Sequence, residues 1–121
     1  MEAKSLAQRI LAVMHTVSCI QKSEKTVNGQ YRFVSHDQVV GALRKPMIEN
    51  GIITSVTVKG HTQEGNRTIA DVDVTFMNAD MPGDRMTIQC FGYGVDGSDK
   101  GPGKAVSYAV KYALLKTFCL E

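Results

Sequence analysis

The run from Ile69 to Met77 alternates without a break. Val72, Val74 and Phe76 take one set of positions, and Asp71, Asp73 and Thr75 take the other. A period of two sends each set to its own face of a β-strand, so one face is buried and the other meets water. A strand of that kind belongs to an antiparallel sheet covered on one side. Two neighbours flank it. Ile52 to Lys59 alternates through Thr54, Val56 and Val58, and Met86 to Tyr93 sets Met86, Ile88 and Cys90 against Thr87, Gln89, Phe91 and Tyr93. The intervening segments 61–67 (HTQEGNR) and 78–84 (NADMPGD) are dense in chain-breaking residues and read as turns. Connections that short make the strands an antiparallel meander.

Helical periodicity frames this meander. Leu6, Ile10, Val13, Met14 and Val17 form one apolar stripe over residues 5–21, opened by a capping box of Ser5 and Gln8. Ser35 with Gln38 opens a second helix, with Asp37 in the first turn to suit the helix dipole. Its buried stripe is Val39, Val40, Leu43 and either Met47 or Ile48; Pro46 predicts a kink or early loosening, and Gly51 predicts the end. Between the two helices, Tyr31, Phe33 and Val34 suggest a short strand, with Lys25 to Val27 as its partner across an Asn28-Gly29 turn. The order is helix, short hairpin, helix, three-stranded meander, glycine loop, helix. That predicts an α+β fold, with helices on one face of an antiparallel sheet.

The glycine loop and final helix occupy residues 92–120. Gly92, Gly94, Gly97, Gly101 and Gly103, with Asp96, Asp99 and Lys100 among them, describe a loop that bends sharply and lets something approach its backbone closely. In the helix, Val106, Ala109, Val110, Ala113, Leu114 and Thr117 fall on one side, and Lys104, Tyr108, Lys111, Tyr112 and Leu115 on the other. From Lys100 to Leu120 there are four lysines, Lys100, Lys104, Lys111 and Lys116, and no acid. Cations beside rings on a rigid surface suit a single-stranded nucleic acid: lysines meet phosphates, and rings stack on unpaired bases. The same pattern also describes a solvated helix face whose tyrosines cover the sheet rim. Tyr31 and Arg32 make a second aromatic–cation pair, which an ordinary edge strand would equally carry.

At 121 residues, 1–121 reads as a single domain. The N-terminus carries Glu2, Lys4 and Arg9 inside a helical pattern, which is not a signal peptide, and no apolar run approaches membrane-spanning length. Three cysteines, Cys19, Cys90 and Cys119, have no framework spacing, so a reducing cytoplasm with free thiols is expected. The net charge of +2 is unevenly placed: two basic ends flank an acidic middle, which allows a local basic surface on a nearly neutral protein.

Three chemical patterns compete with nucleic-acid binding. SDKGPGKA (98–105) comes near to a phosphate-binding P-loop, but Ser98 stands where Gly is required and Ala105 where a magnesium-binding hydroxyl is required. Asp71 and Asp73 point the same way from one strand and could hold magnesium for phosphodiester cleavage, with Asp96 and Asp99 coming near. His15 and Cys19 lie one helical turn apart but supply only two metal ligands. A phosphate-handling enzyme using the 97–104 loop and Asp71/Asp73 is therefore the alternative function, and a small adaptor domain with a protein-binding Lys/Tyr face is a third.

The run GYGVDGSDKGPGKAVSYAVKYALLKTF, with YRFVSHDQVVGALRKPMIENGI upstream, resembles the ERF family, the phage "essential recombination function" single-strand annealing proteins. The resemblance extends from Ser5 to Leu120, and Gly101 stands where Ala is commoner in the family. Many members continue into a variable tail, so a core domain is expected here. The resemblance implies a β-β-β-α core shared with eukaryotic strand-annealing proteins. It implies assembly into rings or helical arrays, single-stranded DNA in a basic groove, and annealing that needs neither ATP nor metal. It therefore implies a protein that is not an enzyme and has no cofactor. Its implied partners are single-stranded DNA, copies of itself, and a host single-strand-binding protein or phage exonuclease, with no membrane; its implied location is the cytoplasm of a bacterial host.

Carried onto matching positions, the DNA-binding residues are Lys100, Lys104 and Lys111, with Tyr108 and Tyr112 shaping the groove. Lys25, Tyr31 and Arg32 follow, and Arg67 and Arg85, at opposite ends of the meander, either line the groove or pair with a neighbour's acids. Asp96 and Asp99 would repel phosphate, so they are expected to brace the loop or bridge subunits.

Overall fold

The computed structural model describes residues 3–20 and 35–120, and the backbone of 26–27 and 31–32. Among the described residues, three helices and a three-stranded antiparallel sheet make the α+β fold. Helix α1 spans Leu6–Thr16 and α2 spans His36–Glu49; strands β3 (Ile52–Glu64), β4 (Arg67–Asn78) and β5 (Met81–Val95) follow, then α3 (Gly101–Thr117). Thr26–Val27 (β1) and Tyr31–Arg32 (β2) pair separately and antiparallel. The expected turn at Asn28-Gly29, Phe33, Val34, and the side chains of Lys25, Tyr31 and Arg32 lie outside the described residues.

Both capping boxes form. Ser5 Oγ accepts from the Gln8 backbone and Ser35 Oγ from that of Gln38, while each Gln side chain accepts from the N-cap backbone in return. Helix α1 stops at Thr16, short of the expected 21, so Cys19 is not one helical turn from His15 and that spacing carries no ligand pair. Helix α2 continues through Pro46 to Glu49, and Gly51, at φ 67°, takes the left-handed position after its end. Of the two alternatives for its stripe, Met47 is buried and Ile48 is 61% exposed.

The strands are longer than their alternation suggested. The first turn shrinks to Gly65-Asn66, with Gly65 at φ 61°, because His61 to Glu64 pair with Arg67 to Ala70 after a bulge between Val58 and Gly60. The second shrinks to Ala79-Asp80, and Pro82 is tolerated because β5 is an edge strand.

That second turn holds the start of α1. Asp84 accepts from the Leu6 backbone at 2.7 Å, and Asn78 donates to the Lys4 carbonyl at 3.1 Å. Arg9, buried within α1, donates to the carbonyls of Lys4 and Gly51 at 2.9 and 3.0 Å and pairs with Asp80 at 2.6 Å. Sequence reasoning missed this clamp; a lone Arg on a helix carries no signal that it will be buried.

The core lies between one face of the sheet and the helices. Val72, Val74 and Phe76 are at most 1% exposed, and Phe76 meets Phe118 edge-to-face with centroids 5.9 Å apart. Helix α3 crosses β5 and β4, α2 rests on α3 and the start of β3, and α1 touches α2 and β4. Among the described residues, no helix covers the opposite face of the sheet.

Candidate nucleic-acid interface

Gly92 and Gly94 are not in the loop. They lie in β5 and face α3. A side-chain carbon on Gly92 would collide with the Ala105 carbonyl and stand 2.7 Å from the Ala109 nitrogen; one on Gly94 would collide with the Gly101 carbonyl and stand 2.7 Å from the Ala105 nitrogen. What approaches the glycine backbone is therefore the helix, through its small residues Gly101, Ala105 and Ala109. The remaining loop is only Asp96 to Lys100, and Gly101 and Gly103 belong to the first turn of α3.

This seating fixes which residues of α3 face out. Lys104 and Tyr108 are exposed, and Lys111 and Tyr112 half-buried. The Tyr108 hydroxyl donates to that of Tyr112 at 3.1 Å, and the Lys111 ammonium lies 4.6 Å from the Tyr108 ring centre and 5.2 Å from that of Tyr112. A cation is thereby held over two rings on a rigid helix. Leu115, expected on this outer face, is 3% exposed and in the core. The inward face of α3 therefore widens to include Leu115, and the outer face continues past Tyr112 through the exposed Lys116. Ala105, absent from the expected inner stripe, is fully buried because it sits over Gly92.

The Asp96–Lys100 loop is braced from within. Asp96 accepts from the Ser98 backbone at 2.8 Å and also from its hydroxyl, and the Lys104 ammonium sits 2.7 Å from its carboxylate. Hydrogen bonding from Lys104, then from Ser98, holds the Asp96 carboxyl far below the usual carboxylate range. Lys104 thus already carries an anion at the place where a phosphate would compete for it. Lys100 forms the N-cap of α3 without a side-chain cap bond.

The model of the ERF superfamily matches residues 6–121, essentially the whole chain. The chain belongs to the ERF superfamily. That family is one of phage-type recombination and strand-annealing proteins. A search of curated proteins found no match.

In this ERF chain, Arg67 and Arg85 stand far apart on the helix-free face of the sheet, opposite Val95 and Met77 in the β4–β5 ladder. The Arg67 guanidinium lies 4.4 Å from the Tyr93 ring centre, and Arg85 donates to the Pro82 carbonyl at 2.9 Å. Arg67 meets the end of the α3 face at Val95: it is the ladder partner of Val95, whose carbonyl accepts from Lys104 at 3.5 Å. Phe91, Tyr93 and Lys59 complete that face and were not singled out from the sequence. Their signal was present, since two aromatic residues occupy the solvent-facing phase of β5.

The rival patterns gain no support from the geometry. Gly101 packs against the Thr68 hydroxyl at the start of β4, where a side-chain carbon would stand 2.9 Å away. Asp73 is paired with Lys59 at 3.8 Å. Among the described residues, no group of three or more His, Cys, Asp or Glu is placed to hold a metal ion. Burial, then Asp73, pushes the Cys90 thiol up, away from a reactive thiolate. Among the described residues, no helix is long and apolar enough to cross a membrane.

Proposed function

We propose that this ERF protein binds single-stranded DNA along the outer face of α3 and anneals complementary strands without ATP, acting as a ring or helical array. The observation that carries the reading is Lys111 seated over the paired rings of Tyr108 and Tyr112, with Lys104 further along the same outer face. Lys100, Lys104 and Lys111 neutralise phosphates, and the two tyrosines hold the groove wall. Lys25, Tyr31 and Arg32 are second-rank DNA contacts in this reading, and Arg67 and Arg85, on the helix-free face, either line the groove or pair with acids of a neighbouring copy.

Annealing requires no bond to be made in the DNA backbone. It requires two mutually repelling strands to be held extended and unpaired. One subunit with so few usable cations would release DNA at cellular salt, since each phosphate contact adds about 0.7 to the salt slope on a single strand. Repetition around an oligomer makes the binding multivalent. Strands β3 and β5 are both edges of the sheet, and their unpaired backbone suits contact between copies.

The test is annealing of complementary oligonucleotides followed by fluorescence, with EDTA present and nucleotide absent, beside anisotropy of a labelled single strand. Fast annealing with tight, salt-sensitive binding supports the reading. Absence of binding at low salt ends it.

A further inference from the structure

The helix-free face of the sheet has its own constellation. Phe91 and Tyr93 are 59% and 41% exposed, and their rings meet edge-to-face with centroids 5.8 Å apart. Arg67 covers one face of Tyr93, which leaves Phe91 as the more open ring. Beside Phe91 lies an open depression of about 640 Å³, lined by Lys59, Asp71, Asp73 and Gln89. Asp73 Oδ1 is shut off from solvent with no hydrogen-bond partner among the described residues, while Oδ2 of the same carboxylate lies 3.8 Å from the Lys59 ammonium. The depression sets two carboxylates against one ammonium, which disfavours phosphate, and its accessible carboxylate and Gln89 amide oxygens accept from an N–H donor. An uncharged group with a flat face and an amino edge meets both conditions.

We infer that this face holds an unpaired nucleobase, stacked on Phe91, with its amino edge toward Asp73 and Gln89 and its phosphate toward Arg67. The inference rests on the single-strand-binding reading above and deepens it. A carboxylate accepts from a base amino group, as an aspartate does from cytosine. Stacking on an exposed ring is tolerant of base identity and adds to backbone binding. The path is continuous, because Val95 joins the two faces at the β5 edge: Lys104 reaches its carbonyl from the helix side, and Arg67 is its ladder partner. A strand gripped by α3 turns around that edge and lays a base on the open face.

The experiment compares oligo(dC) with an abasic strand of equal length, by anisotropy at low salt, for the wild type, Phe91→Ala and Phe91→Trp. The wild type is expected to prefer oligo(dC). Phe91→Ala should lose roughly 5- to 100-fold on oligo(dC) while binding the abasic strand as the wild type does. The chain has no tryptophan, so Phe91→Trp adds a single indole whose emission a stacked base should quench. Wild-type affinity for oligo(dC) in Phe91→Ala, or an unquenched indole in the bound complex, overturns the inference. Equal losses on both strands, with an altered sedimentation profile, also overturn it and assign the face to contact between copies. A wild type that binds neither strand fails the underlying reading. A wild type that binds through the α3 lysines with Phe91 irrelevant fails this inference alone.

Discussion

Gly92 faces the Ala105 carbonyl so closely that no side chain fits between them. Strand β5 and helix α3 are in backbone contact there, and the Lys/Tyr face of α3 is aimed by that contact. Gly92→Ala should cost about 1–3 kcal/mol or more, because the obstructing atoms are backbone and cannot rotate away. Gly103, with open space around its Cα, behaves oppositely: Gly103→Ala should stabilise α3 by about 0.5–1 kcal/mol. Urea denaturation of the two variants measures both signs.

Replacing Lys100, Lys104 and Lys111 together by Ala should abolish single-strand binding and leave the fold intact, since none of the three is buried. Lys111→Ala alone should lower the salt slope by about 0.7 if its ammonium neutralises one phosphate. Anisotropy across a salt series, with circular dichroism beside it, reads both. Normal binding by the triple variant would place the DNA elsewhere.

Asp96 makes the acid limb of the stability curve informative. Its carboxyl is depressed from 3.8 by Lys104 and Ser98, so its contribution is fully present above that value. The contribution declines as the pH falls below 3.8 and is gone once the pH passes the folded value. Asp96→Asn should flatten that part of the profile. It should also free Lys104 and tighten single-strand binding at neutral pH. Weaker binding in the variant would show that loop bracing outweighs the released charge.

Arg9 ties α1 to the ends of α2 and β4. Arg9→Met should cost about 1–3 kcal/mol, because the carbonyls of Lys4 and Gly51 lose their charged donor in a partly buried site. Most of the loss comes from those carbonyls, since the Asp80 carboxylate is 72% exposed and returns to water. Thermal unfolding at fixed salt measures it, and an unchanged midpoint would leave the clamp without a stabilising role.

Leu115→Ala should cost about 2–5 kcal/mol, whereas Lys116→Ala, one residue on and exposed, should stay within about 0.5 kcal/mol. Equal stabilities for the two, measured by urea denaturation, would return Leu115 to the outer face of α3.

Local chemistry was sufficient for much of the fold. Ser5 with Gln8 and Ser35 with Gln38 place two helix starts, because a capping box is satisfied within four residues of chain. Val72, Val74 and Phe76 identify the buried face of β4, because the pleat alone sets which side chains share a side. The ERF resemblance is carried by contiguous runs and needs no coordinates. Tertiary structure decided the rest. Pairing with β4 extended β3 through His61 to Glu64 and drew Pro82 and Gly83 into β5, since ladder hydrogen bonds outweigh local breaker composition. Only the seating of α3 shows that Gly92 and Gly94 make room for a helix rather than a ligand, that Leu115 is buried, and that Arg67, Tyr93 and Phe91 share one open face. Periodicity says which residues lie on the same side of an element. What covers that side is settled by packing between segments distant in sequence, and no local pattern records it.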